Sequence, residues 1–425
     1  MTFRWLPDPE RYTHPHLSWL LQYAFDVVLG RMFRVDHDLP SGFRLPPGTL
    51  IVSNHLRDSD APILGTLLYC REGVHMRGVL PFFAMREDLF QREAMANLLY
   101  ACPWPLIHLL RLVPLRWLFG NVRTLPMRRV REFTWHDALR EIVHIGLGAC
   151  DPAEVFNARG VRELRSTLGT LPNRVDHINP WRMGALRVEV WGLRRLSLAT
   201  LRKIAPDFRA AVDAQLKEMV CRLDAGHSLY FAPEGHISMD GSFGRIRAGT
   251  WRLGRATGEP LTMLPMTISY DPLGPGKTRS IVRMGQPLRD LDVHDTRKLA
   301  RNVRQALIAG RVVTPSHLLA QFLSTHAAPF SARELADWLE QAKLAVQSAQ
   351  LVLDPVFGHG STQVLVAQRL DWLRRRRLVT CKLGAWQRRW DPSSPPGWLH
   401  ASGMVRYLAN AFADLAPGLA RTLSA

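Results

Sequence analysis

Two short apolar runs, far apart in the chain, each end in a polar turn, and they constrain the fold more than any other feature. Residues 50–52 (Leu-Ile-Val) lead into a loop that carries His55 and Asp60, and residues 228–231 (Ser-Leu-Tyr-Phe) lead into a turn that carries Glu234. Runs of this length predict buried strands. The chain is therefore predicted to be an α/β protein with its active groups gathered at strand ends.

His55 and Asp60 are the residue types of a general base and the carboxylate that orients it. Imidazole suits proton removal near neutral pH, and a carboxylate on its far ring nitrogen fixes the tautomer. On one helix the two side chains would point about 140° apart. We therefore expect His55 to stay in the loop and Asp60 to enter a helix that begins near Pro62. Asp58 is an alternative partner for the imidazole, and a capping aspartate in a surface loop is the noncatalytic interpretation.

The second turn, Pro-Glu-Gly at 233–235, places Glu234 at the end of a predicted strand. Glycine allows backbone geometry that other residues avoid, so Gly235 predicts a sharp turn at this point. In isolation, a glutamate in such a turn is an ordinary exposed side chain. The two segments together are more specific than either one.

Residues 54–60 resemble the Asn-His-x-Ser-x-x-Asp block of the glycerolipid acyltransferase superfamily, which includes glycerol-3-phosphate and lysophosphatidate acyltransferases. Residues 231–238 are similar to its Phe-Pro-Glu-Gly-Thr-Arg-Ser block. Weaker likenesses at 82–89 and 264–268 extend the coverage to about residues 45–290. The resemblance implies a mixed sheet flanked by helices, with a catalytic His-x-x-x-x-Asp loop.

The resemblance also implies which residues do the work. It assigns catalysis to the histidine and the aspartate of the first block. Substrate binding is assigned to Glu234, Gly235, Arg128, Arg129 and Pro265. The arginine block has a second candidate at 191–195, and either choice implies an insertion over about residues 130–207.

This chain departs from the family pattern at two positions where the charge of the side chain changes. Ile237 stands where the family has an arginine associated with the phosphate of the acceptor, and Arg57 stands where the family has serine. An isoleucine cannot form the planar fork that a guanidinium offers to a phosphate. Arg245 or Arg247 is a candidate substitute, and an acceptor without a phosphate is the other interpretation.

Composition indicates a folded protein with anionic partners. The 425 residues carry a net charge of +18, which favours anionic lipid surfaces, nucleic acid or an acidic carrier protein. The five cysteines lack metal-type spacing, which indicates a reducing compartment. Residues 1–15 have no signal-peptide pattern. Residues 17–33 and 96–120 are too interrupted by charge for a membrane span. Each segment either lies in the membrane interface or is a buried core helix, and we expect a peripheral protein at the cytoplasmic face of a membrane.

The predicted domains are an amphipathic helical segment at 1–44, an acyltransferase domain at 45–295, and a smaller, mainly helical domain at 296–425. The basic run at 374–377 is most simply a solvated face, and contact with anionic headgroups or with an acyl carrier protein is the functional interpretation. The same helix and the following hairpin pattern are also typical of a winged-helix nucleic-acid module. Nucleic acid is the less favoured partner, because that interpretation leaves both motifs at 54–60 and 231–238 unexplained.

These observations predict an O-acyltransferase. It moves a fatty acyl group from acyl-CoA or acyl-ACP to a hydroxyl of a glycerolipid-type acceptor, with glycerol 3-phosphate or a lysophospholipid as the favoured acceptors. His55 acts as general base and Asp60 orients it, and no metal or organic cofactor is expected. A catalytically inactive lipid-binding relative is the alternative.

Overall fold

The computed structural model describes residues 15–68, 71–72, 75–76, 80–90, 93–98, 115–128, 134–183, 194–258, 260–391, 393–398 and 400–423. The described chain divides into two compact units, one formed by Met1–Ser18 with Phe82–Cys221 and the other by Trp19–Pro81 with Arg222–Ala425. The prediction of three consecutive domains stays a prediction.

The described elements alternate between helices and short strands over most of the chain. The helices are α1 Pro15–Met32, α2 Asp60–Leu68, α3 Ala94–Leu98, α4 Leu115–Asn121, α5 Trp135–His144, α6 Pro152–Val155, α7 Ala158–Leu168, α8 Leu198–Asp224, α9 Ala248–Ala256, α10 Thr296–Gly310, α11 Pro315–Thr325, α12 Ala332–Ser348, α13 Thr362–Arg375, α14 Ala401–Leu415 and α15 Pro417–Thr422. The strands are β1 Phe33–His37, β2 Leu50–Val52, β3 Arg71–Glu72, β4 His75–Met76, β5 Phe82–Arg86, β6 Thr124–Met127, β7 Leu229–Phe231, β8 Met263–Asp271, β9 Thr278–Met284, β10 Val312–Val313, β11 Val352–Leu353, β12 Val379–Lys382 and β13 Ala385–Arg388.

Within the second unit, five strands form a mixed sheet in the order β1-β9-β8-β2-β7. Only β8 and β9 run antiparallel, while β2 is parallel to both β8 and β7. In register, Val52 lies opposite Phe231 on one side and Pro265 on the other. Because parallel strands end at the same edge, this pairing gathers the two predicted motif loops at one place. The expectation of a mixed α/β protein is confirmed.

Strand β8 is the longest strand of this sheet and is buried along its whole length. Its first residues pair with β2, and it then runs on past the end of β2. A strand buried on both faces is normally apolar throughout, yet β8 ends in Tyr270 and Asp271. Both polar side chains therefore need partners inside the protein.

The C-terminal part of the second unit is mainly helical, as the sequence predicts. Helix α11 is the centre of this layer, and its residues from Pro315 to Leu323 are buried. It packs against α14, which is also apolar along one face. A capping box formed by Ser331 and Glu334 begins α12.

The first unit holds the parallel pair β5 and β6 and a helical layer formed by α5 to α8. Trp135 is fully buried in this layer, with its ring 5.2 Å from that of Phe156. The described residues of the segment 130–207, which are 134–183 and 194–207, lie in the first unit. That this segment is an insertion stays a prediction.

Candidate active site

The first predicted motif occupies the loop between β2 and α2. His55 stays in the loop, and α2 begins at Asp60 itself. The turn between them is closed by the Asp60 backbone N–H, which donates to the carbonyl of Arg57 at 3.1 Å. This geometry brings Nδ1 of His55 to 3.1 Å from Oδ2 of Asp60. The predicted placement of loop and helix is confirmed, and Asp60 rather than Asp58 holds the ring nitrogen.

The carboxylate of Asp60 is fully buried and surrounded by donors. Its Oδ2 accepts from the backbone N–H of Leu56 at 2.6 Å and of Arg57 at 2.8 Å, besides the imidazole contact. Its Oδ1 accepts from the Tyr270 hydroxyl at 2.5 Å. Because an ionised carboxylate only accepts hydrogen bonds, the proton in the imidazole contact belongs to Nδ1. Nε2 of His55 is then the nitrogen with a free lone pair.

Tyr270 is the side chain that the sequence did not predict for this site. Burial raises the pKa of its hydroxyl well above the ordinary value, and the charge of Asp60 acts in the same direction. The hydroxyl therefore keeps its proton and remains a donor. Ser59 Oγ lies 3.1 Å from the same hydroxyl oxygen. Tyr270 thus fixes the carboxylate from the sheet side, opposite the loop.

Asn54 ties the motif loop to β8. Its side-chain Nδ2 donates to the carbonyl of Ile268 at 2.9 Å, and its Oδ1 accepts from the backbone N–H of Ile268 at 2.9 Å. An asparagine side chain carries the same donor and acceptor pair as a peptide group. Asn54 thus replaces one step of strand pairing beyond the end of β2.

Glu234 links the two motif loops. It lies after β7 and is only 1% exposed. Its Oε1 accepts from the backbone N–H of His55 at 3.1 Å, and its Oε2 accepts from that of Gly244 at 2.6 Å. Burial raises the pKa of the Glu234 carboxyl, although these two hydrogen bonds lower it. The next residue, Gly235, has φ +72°, which is the positive-φ turn predicted for it.

A second backbone link runs between the same loops, since the N–H of Ser238 donates to the carbonyl of His55 at 2.8 Å. Both backbone polar groups of His55 are therefore bonded to the second motif. The general-base candidate is held on its backbone by the second motif and on its ring by Asp60. The substrate-binding role of Glu234 and Gly235 stays a prediction.

Two aromatic residues from the C-terminal part of the chain hold the carbonyl of Leu56. Trp398 Nε1 donates to this oxygen at 3.0 Å, and the Tyr407 hydroxyl donates to it at 3.3 Å. Burial raises the pKa of Tyr407 to about 12, so this hydroxyl also remains protonated. Leu56 lies between the base and the aspartate in sequence. The C-terminal residues therefore help to hold the loop in shape.

Arg57 lies among three of the aromatic rings around this loop. Its Cζ is 4.4 Å from the ring centre of Trp398 and 5.4 Å from the ring centres of Phe33 and Tyr270. Arginine over aromatic faces is stabilised by cation–π attraction. The side chain is half-buried.

The remaining predicted substrate-binding residues are distributed over both units. Pro265 lies on β8 beside Val52. Arg128 follows β6 in the first unit, where its Nε lies 2.6 Å from Glu87. Arg129 lies outside the described residues. These three assignments stay predictions.

The alternative arginine candidates are placed as follows. Arg195, from the second candidate block, forms two hydrogen bonds to Glu163, at 2.9 and 3.0 Å, while residues 191–193 of that block lie outside the described part. Arg247 donates from Nε to the backbone carbonyl of Glu234 at 3.1 Å. Arg245 is exposed.

Among the described residues, no group of three or more His, Cys, Asp or Glu side chains is arranged to hold a metal ion. In the same part of the chain, no helix combines the length and the apolar character needed to cross a membrane. The segment at 96–120, which the sequence predicts to be too interrupted for a span, lies largely outside that part. Peripheral attachment to a membrane stays a prediction.

Comparison with known proteins gives a distant structural similarity. No protein-family model matches the chain, and no curated protein matches it. Among solved structures, the chain is similar to the crystal structure of the 1-acyl-sn-glycerophosphate (LPA) acyltransferase PlsC from Thermotoga maritima. The identity is 14%, the match covers 69% of this chain and 76% of that one, and the TM-score is 0.33. A superposition of this extent does not define function, which depends on the geometry of the site.

Proposed function

We propose that the chain is an O-acyltransferase that moves an acyl group from a thioester to a hydroxyl. The observation that carries this proposal is the pair formed by His55 and Asp60. Nδ1 of the histidine lies 3.1 Å from a carboxylate that is fully buried and that accepts three further hydrogen bonds. Such a pair is suited to remove a proton from a neutral nucleophile and to stabilise the resulting imidazolium.

In the proposed reaction, Nε2 of His55 takes the proton of the acceptor hydroxyl while its oxygen attacks the thioester carbonyl. A C–O bond forms and the carbonyl oxygen becomes an oxyanion. The intermediate then collapses, the C–S bond breaks, and the thiolate leaves. The imidazolium returns its proton to the sulfur, so that the enzyme is regenerated. Attack is direct, and no acyl group is carried on the protein.

Burial supports the assignment of Asp60 as the orienting group. A carboxylate with four donors is fixed in position and cannot turn to solvent. The imidazole is therefore held in one orientation before substrate binds, which lowers the entropic part of the barrier. Asp60 acts on the reaction through His55 and not on the substrate.

The proposed donors are acyl-CoA or acyl-ACP, and the proposed acceptors are glycerol 3-phosphate or a lysophospholipid, at the surface of an anionic membrane. Their support is the sequence resemblance at 54–60 and 231–238 and the net charge of +18. The test is release of free thiol from long-chain acyl-CoA, and separately from acyl-ACP, with each acceptor. Product should appear only when thioester and acceptor are both present. Absence of acceptor-dependent release with either donor would favour the inactive lipid-binding alternative.

A further inference from the structure

Arg57 lies two residues beyond the general-base candidate, and its surroundings are unusual for an arginine. The contacts of its guanidinium are with the rings of Trp398, Phe33 and Tyr270. Among the described residues, no carboxylate and no hydrogen-bond acceptor contacts its side-chain nitrogens. The charge is therefore held beside the site without being neutralised.

Three other arginines of limited exposure in the described part are neutralised. Their partners are carboxylates within hydrogen-bond distance: Arg195 with Glu163, Arg279 with Asp36 and Asp354, and Arg369 with Asp271. Arg311 also lacks hydrogen bonds, but it is 1% exposed and lies 4.0 Å from Asp414, so a ligand does not reach it. Arg57 is half-buried and open to a partner.

Aromatic faces attract the charge of a guanidinium but accept none of its ordinary hydrogen bonds. The five N–H donors of Arg57 thus stay available. They lie in one plane and form a fork that matches two oxygens of a phosphate. Because three rings restrict the side chain, less rotamer freedom is lost when a ligand binds.

We propose that Arg57 forms the anion-binding subsite of the acyl acceptor and holds its phosphomonoester beside His55. This inference rests on the proposed function and names the acceptor class for the same site. It accounts for both departures from the family pattern, because the cation missing at Ile237 is supplied at Arg57. Arg247 is not needed for this role, since its Nε is bonded to the carbonyl of Glu234.

The test measures binding, so that it does not depend on turnover. Glycerol 3-phosphate is titrated by calorimetry into wild type and into Arg57→Met, which keeps an apolar stem against the rings but has no charge. Glycerol is the uncharged arm and inorganic phosphate is the free-ion arm. Lysophosphatidate below its micelle concentration is the lipid arm. Arg57→Lys tests the planar fork, and Arg301→Met is the matched control at an exposed arginine of α10 that has no role in the proposed site.

We expect Arg57→Met to weaken binding of glycerol 3-phosphate, lysophosphatidate or both by about tenfold or more, since two charge-assisted hydrogen bonds are lost. The phosphate ester whose binding is weakened shows whether the acceptor is soluble or a lipid. Arg57→Lys should recover part of the loss, and Arg301→Met should bind within about twofold of wild type. A near-ultraviolet circular dichroism spectrum equal to that of wild type confirms that the rings keep their packing.

Three results would overturn the subsite. These are no anion binding by wild type, equal affinity of wild type and Arg57→Met, and inorganic phosphate bound as tightly as both phosphate esters. A failure of the subsite can be distinguished from a failure of the proposed function. Acyl transfer to a neutral alcohol without anion binding would refute the subsite alone. Anion binding that requires Arg57, without acyl transfer from either thioester, would refute the proposed function alone.

Discussion

Replacing Tyr270 by phenylalanine removes one oxygen atom and keeps the ring. That oxygen donates to Oδ1 of Asp60 at 2.5 Å, and the two residues are 1% and 0% exposed. Water does not replace the donor at such a site, so Oδ1 is left without its partner. A hydrogen bond to a charged group contributes about 1.5–3 kcal/mol. We therefore expect the free energy of unfolding to fall by about 2 kcal/mol, measured by urea denaturation at neutral pH.

The same variant should also be slower in acyl transfer. Asp60 keeps its contact with His55 and its two backbone donors, so the loss is one of orientation and not of the base. A tenfold fall in kcat corresponds to about 1.4 kcal/mol, which is the expected size. The assay is steady-state thiol release at saturating thioester.

The matched control is Tyr407→Phe. Its hydroxyl donates to the Leu56 carbonyl at the longer distance of 3.3 Å, and that carbonyl keeps the N–H of Trp398 at 3.0 Å. We expect a loss of less than about 1 kcal/mol in unfolding free energy. The reasoning is refuted when Tyr270→Phe unfolds at the urea concentration of wild type, or when the two variants lose stability equally.

Two further predictions concern charge. Asp60→Asn should lower kcat by about 10²- to 10⁴-fold. The amide NH₂ is itself a donor, so it faces groups that also donate and favours the wrong tautomer of the His55 ring. Steady-state rates near those of wild type would contradict this prediction. Burial lowers the pKa of His317 to about 3, with Arg311 acting in the same direction, against an ordinary value of 6.5. In the unfolded chain His317 is protonated below pH 6.5, whereas in the folded chain it stays neutral down to about pH 3. The free energy of unfolding therefore falls as the pH falls from 6.5 to 3. His317→Gln keeps an acceptor for the Thr314 N–H. It should remove about 2 to 3 kcal/mol of the difference in unfolding free energy between pH 7 and pH 4.5, measured by urea titrations. An equal pH dependence of stability in wild type and variant would refute this prediction.

The local part of the site could be predicted from the sequence. An apolar run followed by polar residues and Pro62 is sufficient to predict a strand, a loop and a helix start within a few residues. Because His55 and Asp60 belong to this one loop, their contact depends on local geometry alone. Gly235 was predictable for the same reason, since a turn needs a positive φ where a Cβ is disfavoured.

The supporting shell could not be predicted, because it depends on contacts between distant segments. Tyr270 is 210 residues from Asp60 in sequence, and Trp398 is 342 residues from Leu56. Nothing near either aromatic residue indicates a role in a catalytic loop. One feature does point to Tyr270: a tyrosine in a fully buried strand needs a partner for its hydroxyl. The identity of that partner follows only from the sheet register.

Glu234 shows a different limit. The sequence predicts a glutamate at a strand end, and either a substrate or a backbone partner is compatible with that position. In the structure both carboxylate oxygens accept from backbone N–H groups, of His55 and of Gly244. A side chain that accepts two backbone hydrogen bonds in a buried place holds the loops together. The spacing of residues in the sequence does not distinguish a backbone partner of Glu234 from a substrate partner.

The central claim is that His55 is the general base, and one comparison tests it most directly. Acceptor-dependent thiol release is measured for wild type, His55→Ala and His144→Ala, where His144 is an exposed histidine at the end of α5. The claim predicts that His55→Ala loses turnover while its unfolding transition stays cooperative, and that His144→Ala matches wild type. Turnover at the wild-type rate in His55→Ala would contradict the claim.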